Sequence, residues 1–266
     1  MQSKVKALVL TGFGLNCEKE TALAFEMGGA SADIIHVNDI IENKDTLKKY
    51  RVLAFIGGFA FGDHISAGKV LAVKFKYNLR DQFLEFIHNG NLFIGICNGF
   101  QPMVKMGVLP GFDGDYTTPA VTLAGNKNPG YFDTWVRLKV NSNSPCVFTK
   151  GIDFMEVPVR HGEGQFIPLD NSVMERIKNN NHIAVQYVHP ETNEVTDEYP
   201  YNPNGSEMGI AGICDETGRI FGIMPHPEAF LYPYNHPHYF RNRITGDPPV
   251  KPNGLKIFEN AVRYFE

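Results

Sequence analysis

Cys97 stands between two glycines in the stretch GICNG (residues 95–99). The apolar run NLFIGIC leads in, and Phe100, Met103 and Val104 follow at the i, i+3, i+4 spacing of a helix. A strand turning abruptly into a helix needs the room that Gly95 and Gly99 leave. Such a turn lifts a nucleophile out of the sheet and aims the N–H groups of the helix start at the same point. Those groups favour a thiolate and can hold a developing oxyanion. A cysteine in a strand is more often plain core, because free cysteine is among the most buried residue types. The glycines move Cys97 towards chemistry without settling it.

A cysteine nucleophile works best with a base to take its proton and a carboxylate to orient that base. Of nine histidines, His226 in GIMPHPEAF is best placed, at the end of the expected strand RIFGIM. Pro225 and Pro227 bracket it and favour extended backbone, in which residues i and i+2 point to one side. Glu228 is therefore expected to face the imidazole. His-Pro-Glu alone also suits a solvated turn; with the elbow in the same chain, a Cys97–His226–Glu228 triad is the better reading. A third piece is FIGGFAFGD. Gly57-Gly58 end a strand expected beside the Cys97 strand, and exposed backbone N–H groups there would complete an oxyanion hole with the N–H of Asn98. The plainer alternative is a tight turn with no ligand. A nucleotide loop is disfavoured, since G-x-x-x-x-G-K-[ST] is absent.

The elements that must position these groups alternate. VKALVL reads as a strand buried on both faces, and NCEKETALAFEMGG as a helix that Asn16 can cap and Gly28-Gly29 end. ADIIHV and VLAFIGG read as strands, and LRDQFLEFIHNG as a short helix. This alternation predicts a doubly wound, mostly parallel α/β sheet. From about Val136 the pattern turns to strands and turns: TWVRLKV, DFMEVPVRHGEGQF, IAVQYV, and a hairpin about Glu216–Arg219. The second half is expected to add β structure to the same domain, covering residues 1–266. In LKIFENAVRYF, Ile257, Phe258, Ala261, Val262 and Phe265 predict a closing helix packed on the sheet.

A net charge of −4 and no Lys/Arg run give no field for nucleic acid. No apolar stretch approaches the roughly 20 residues that span a bilayer, and the N-terminus makes a poor signal peptide. Cys17, Cys97, Cys146 and Cys214 lie far apart without a C-x-x-C, which argues against a disulfide framework or a zinc site and for a reducing cytoplasm.

Together, GICNGFQ, GGFAFGD and MPHPE resemble the class I (triad) glutamine amidotransferases. The longer phrases VRHGEGQF, NPNGSEMGIAGICDETGRIFGIMPHPEAF and GLKIFENAVRYF are similar to one branch, the glutaminase subunits or domains of phosphoribosylformylglycinamidine synthase, over nearly the whole chain. The resemblance implies a flavodoxin-like fold and hydrolysis of L-glutamine through a γ-glutamyl thioester. It would make Cys97 the nucleophile, His226 the general base and acid, and Glu228 its orienting carboxylate, with Gly58 and Asn98 as oxyanion donors. Gly57, Gln101 and His161 would lie at the substrate. The ammonia would pass to a large ATP-dependent synthetase partner, with a small accessory subunit as a further partner. ATP and Mg would belong to that partner, leaving this chain without a cofactor or metal of its own. Three places depart from the pattern: Ile56 stands for a proline, Ala229 for an arginine, and GYFDTW (residues 130–135) for GRFE. An independent cysteine hydrolase or deglycase on the same scaffold is a rival reading, which HGEG and the C-terminal match disfavour. A non-catalytic protein that binds glutamine or a partner is another, disfavoured by the presence of all three triad residue types.

Overall fold

The continuous apolar runs become the centre of one sheet. In the computed structural model, which describes residues 5–247 and 251–266, the strands are β1 (Lys6–Thr11), β2 (Ser31–His36), β3 (Val52–Phe55), β4 (Leu92–Ile96), β5 (Val121–Gly125), β6 (Phe132–Val140), β7 (Phe154–His161), β8 (Glu163–Pro168), β9 (Ile183–Tyr187), β10 (Ile210–Cys214) and β11 (Ile220–Ile223). Helices are α1 (Glu18–Met27), α2 (Val37–Glu42), α3 (Lys69–His88), α4 (Phe100–Met106), α5 (Asn171–Asn179), α6 (Tyr239–Thr245) and α7 (Gly254–Arg263). Residues 1–4 and 248–250 of the expected domain lie outside the described residues.

Nine strands form one sheet in the order β2-β1-β3-β4-β11-β10-β9-β6-β7, and β5 pairs with β8 in a second. From β2 to β11 every pairing is parallel; beyond β11 every pairing is antiparallel. The doubly wound half and the added β structure thus share one sheet, and β10–β11 is the expected hairpin. β3, β4 and β11 are buried along their whole length, as strands covered on both faces must be. On one side α1 packs on α7 through the edge-to-face pair Phe25–Phe258, centroids 4.9 Å apart. A second aromatic cluster ties the sheet to α3, with Phe55 against Phe75 (4.9 Å) and Phe93 (4.8 Å). In α7, Ile257, Phe258, Ala261 and Val262 are buried as expected, and Phe265 packs on the core. No helix among the described residues is long and apolar enough to cross a membrane.

Two local expectations are corrected. Asn16 does not cap α1; Cys17 holds the N-cap position and no side chain bonds there. Asn16 instead ties its own loop to the neighbouring strand end, its N–H donating to the Gly57 carbonyl at 3.2 Å. The short helix expected at LRDQFLEFIHNG is the last part of α3, which begins at Lys69. Leu71, Phe75, Leu79, Phe83 and Phe86 form one buried stripe along its whole length.

Candidate active site

Three adjacent parallel strands end level with one another. Phe55 of β3 lies opposite Gly95 of β4, and Ile96 lies opposite Ile223 of β11. Their carboxyl ends therefore deliver Gly57-Gly58, Cys97 and His226 to one edge of the sheet, where ligands bind in open α/β folds.

Cys97 follows β4 directly, in a 3-10 turn that runs into α4. Its φ of 51° lies in the left-handed region, a strained backbone that non-glycine residues occupy only when the surroundings impose it. The surroundings here are tight. A Cβ on Gly99 would run into the Phe55 carbonyl, and one on Gly95 into the Met103 sulfur. The two glycines are the clearance that lets strand and helix meet at this angle. The Cys97 thiol lies 3.5 Å from the Arg160 carbonyl, to which it donates, and the residue is 4% exposed.

His226 is held by its backbone N–H, which donates to the Pro158 carbonyl of β7 at 2.8 Å. Its Nδ1 lies 2.6 Å from Glu228 Oε1, and the two residues are only 3% and 2% exposed. The pairing is as expected but its route differs. Pro227–Ala229 form a 3-10 turn rather than extended chain, with Pro227 in the first turn. Proline's fixed φ suits the start of a helix as well as it suits a strand. Burial works against a charge on His226, yet the Glu228 carboxylate, with Cys97 and Cys17 adding, outweighs it and holds the imidazole well above its ordinary pKa. Gly57 packs under this ring: a Cβ there would come within 2.6 Å of His226 Cε1.

Two cavities meet here. One, about 130 Å³, is lined by Cys97, Gly58, Gln101, Asp63, Glu163 and His161 among others. The other, about 180 Å³, lies against His226 and Glu228 and is lined also by Cys17, Glu20 and Ala229. Gly58, Phe59, Tyr131 and Arg160 line both. A larger hollow of about 510 Å³, around Tyr50, Arg51 and Asn91, sits at the opposite, amino ends of β3 and β4. Of the places where the sequence departs from the resemblance, Ala229 and Tyr131 face the site, while Ile56 is core.

The floor of the first cavity is a polar network. Asn98 Nδ2 donates to Asp63 Oδ1 (3.0 Å) and to Gln101 Oε1 (2.8 Å), while Asn98 Oδ1 accepts from the Ala60 N–H (3.0 Å). Gln101 Nε2 donates to the Glu163 carbonyl at 2.7 Å. The Asn98 side chain thus fixes the loop after Gly58, a role its backbone N–H does not exhaust. Burial pushes the Asp63 carboxyl up, against the pull of the Asn98 amide. Asp63, Glu163, Arg160, Tyr131 and Cys17 were not singled out by sequence reasoning. Asp63 in GGFAFGD, Arg160 and Glu163 in VRHGEGQF, and Tyr131 in GYFDTW were within its reach; Cys17 carries no local signal.

His161 is buried behind this cavity, Nδ1 lying 3.1 Å from Asn126 Oδ1. Burial, reinforced by repulsion from His226, lowers its pKa from 6.5 to about 3, so it is neutral at working pH. Between those values the unfolded chain takes up a proton that the folded state refuses, so stability falls as pH falls through that window. A His161→Gln chain should lose less of its urea midpoint between pH 7 and about 4.5 than the parent, a span set by this linkage. Equal losses would mean that His161 is not a buried neutral group.

A family model of CobB/CobQ-like glutamine amidotransferase domains matches residues 4–265. A Methanococcus maripaludis (strain S2) protein named phosphoribosylformylglycinamidine synthase subunit PurQ is 46% identical over 266 residues, covering 98% of this chain and 97% of that one. A Dictyostelium discoideum phosphoribosylformylglycinamidine synthase is 33% identical over 266 residues, which are 96% of this chain and 19% of that one. In the solved structure of PurLQS from Thermotoga maritima, a chain 26% identical superposes with a TM-score of 0.71, over 99% of this chain and 100% of that chain. Full-length similarity to named subunits, on a sheet that ends level at a cysteine elbow, leads to one conclusion: the chain belongs to the class I glutamine amidotransferase family, in its branch of PurQ glutaminase subunits of phosphoribosylformylglycinamidine synthase.

Proposed function

We propose that Cys97, His226 and Glu228 carry out the glutamine hydrolysis of this family, and that the ammonia passes to a large ATP-dependent synthetase partner that makes formylglycinamidine ribonucleotide. The observation that carries the reading is the conjunction of a strained cysteine elbow with a buried His226–Glu228 pair at one sheet edge. The cavity beside Cys97 also suits an amino acid. Asp63 and Glu163 can face an ammonium group, and Arg160 a carboxylate.

His226 takes the Cys97 proton, and the thiolate attacks the amide carbon of glutamine. Backbone N–H groups of Gly58 and Asn98 receive the oxyanion, an interaction whose loss typically costs on the order of 10²–10³ in rate. The imidazolium returns its proton to the departing ammonia and leaves a γ-glutamyl thioester. Water, deprotonated by His226, then releases glutamate and restores the thiol. Glu228 holds the imidazole in place and stabilises its charged form. ATP and Mg²⁺ serve the partner, so this chain uses no cofactor. Its four free cysteines suit work in the cytoplasm.

The test is ammonia release from glutamine, with asparagine and peptide amides as competitors, by the chain alone and with its synthetase. Glutamine should be preferred and the rate should rise when the synthetase is added. No ammonia from glutamine in the complex would sink the reading.

A further inference from the structure

Cys17 is a second thiol at the site. It stands at the N-cap of α1, 80 residues before Cys97 in the chain. The loop that carries it is anchored to the Gly57–Phe59 segment, with the Phe59 N–H donating to the Gly14 carbonyl at 2.7 Å. This brings the Cys17 sulfur, a ring nitrogen of His226 and a carboxylate oxygen of Glu228 within 4.8 Å of one another. A second, independent observation marks the place as one that accepts a ligand. His226 Nε2 and Glu228 Oε2 are both buried and have no hydrogen-bond partner among the described residues. Cys17, His226 and Glu228 all line the 180 Å³ cavity, so an ion has a way in.

We propose that Cys17, His226 and Glu228 form a binding site for a thiophilic divalent cation of the Zn²⁺ type, and that its occupancy stops glutamine hydrolysis by withdrawing His226 from Cys97. The donor set is one thiolate, one imidazole and one carboxylate, with the cavity leaving room for solvent as a fourth ligand. That is a zinc-like set; Mg²⁺ and Ca²⁺ call for oxygen ligands alone. The two anionic ligands cancel the double charge of the ion, which a buried site requires. Tetrahedral zinc places its ligands roughly 3.3–3.8 Å apart. Closing the site from separations within 4.8 Å asks for side-chain movements of about 1 Å. The sequence argues against zinc because it has no closely spaced ligands; the fold supplies the spacing instead. The inhibitory consequence rests on the triad reading above, whereas the binding does not.

The test is equilibrium dialysis of the metal-free full chain against Zn²⁺. It is paired with Co²⁺ spectra, in which a thiolate ligand gives a charge-transfer band. The parent should bind one ion per chain, and Cys97→Ala should bind it with affinity within about threefold. Cys17→Ser should bind at least about tenfold more weakly and lose the Co²⁺–thiolate band. Cys17→His, which keeps a ligand, should regain binding without that band, and it guards against a Cys17→Ser chain that fails to fold. Glutaminase measured against each variant's own metal-free rate should be inhibited in the parent, reversibly with a chelator, and at least about tenfold less sensitively in Cys17→Ser. Binding by Cys17→Ser as tight as the parent's, or binding lost in Cys97→Ala, would overturn the proposal, the latter because the ion would then sit between Cys97 and His226. Zinc binding as described in a chain that never hydrolyses glutamine would instead refute the triad reading and leave the metal site standing.

Discussion

A Cys97→Ala chain is expected to lose glutamine hydrolysis by a factor on the order of 10⁴–10⁶, while a complex supplied with ammonium salt keeps making product. The size of the loss follows from nucleophilic catalysis: removing the atom that forms the covalent intermediate leaves only binding and the oxyanion donors. The one other thiol beside His226 is Cys17, and it is poorly suited to take over. Burial raises its pKa against the lowering pull of His226 beside it. It lines the cavity against His226 and Glu228, not the one that holds Gln101 and Glu163. It also stands before a helix without the elbow that offers backbone donors to an oxyanion. Ammonia release within tenfold of the parent, from a chain whose circular dichroism is unchanged, would remove Cys97 from the mechanism. Loss of both glutamine- and ammonium-fed synthesis would show instead that the substitution had damaged docking. A Cys97→Ser chain gives an independent check, since serine preserves shape and the left-handed φ demand while raising the cost of forming the anion.

The second large effect is at Glu228. Glu228→Gln should lower kcat/KM by about 10³–10⁴, as expected when the group that orients and charges a catalytic histidine loses its charge. The pH profile supplies the diagnostic. Glu228 is the largest influence raising the His226 pKa against burial. An opposite charge favours the protonated ring, so removing it lets the imidazolium lose its proton at lower pH. Because His226 must be neutral to take the Cys97 proton, the acidic limb of the kcat/KM profile should therefore move to lower pH in Glu228→Gln. A merely structural defect would reduce the rate without moving that limb. An unshifted limb with a modest rate loss would mean that Glu228 neither charges nor orients the ring.

The local parts of the site were written in the sequence. Gly95 and Gly99 about Cys97 announce a tight strand-to-helix corner because clearance at a corner depends on the residues at the corner itself. The order strand, glycine turn, strand, cysteine also indicates a parallel sheet, since runs such as LFIGI and VLAFIG are apolar enough only for strands covered on both faces. The His226–Glu228 pairing was legible too, although through the wrong backbone, because proline's single φ serves an extended chain and the first turn of a helix alike.

What only the tertiary structure decided is the company these residues keep. That β11 lies next to β4, more than 120 residues later in the chain, depends on which long-range pairing buries the most apolar surface, and no local pattern encodes it. The level ends of β3, β4 and β11, the loop drawn to Asn98 by Asp63, and above all Cys17 brought against His226 follow from that packing. Residue type and spacing determine what chemistry a chain can do. Which groups share a cavity is decided by strand order and register, because those are cooperative properties of the whole buried sheet.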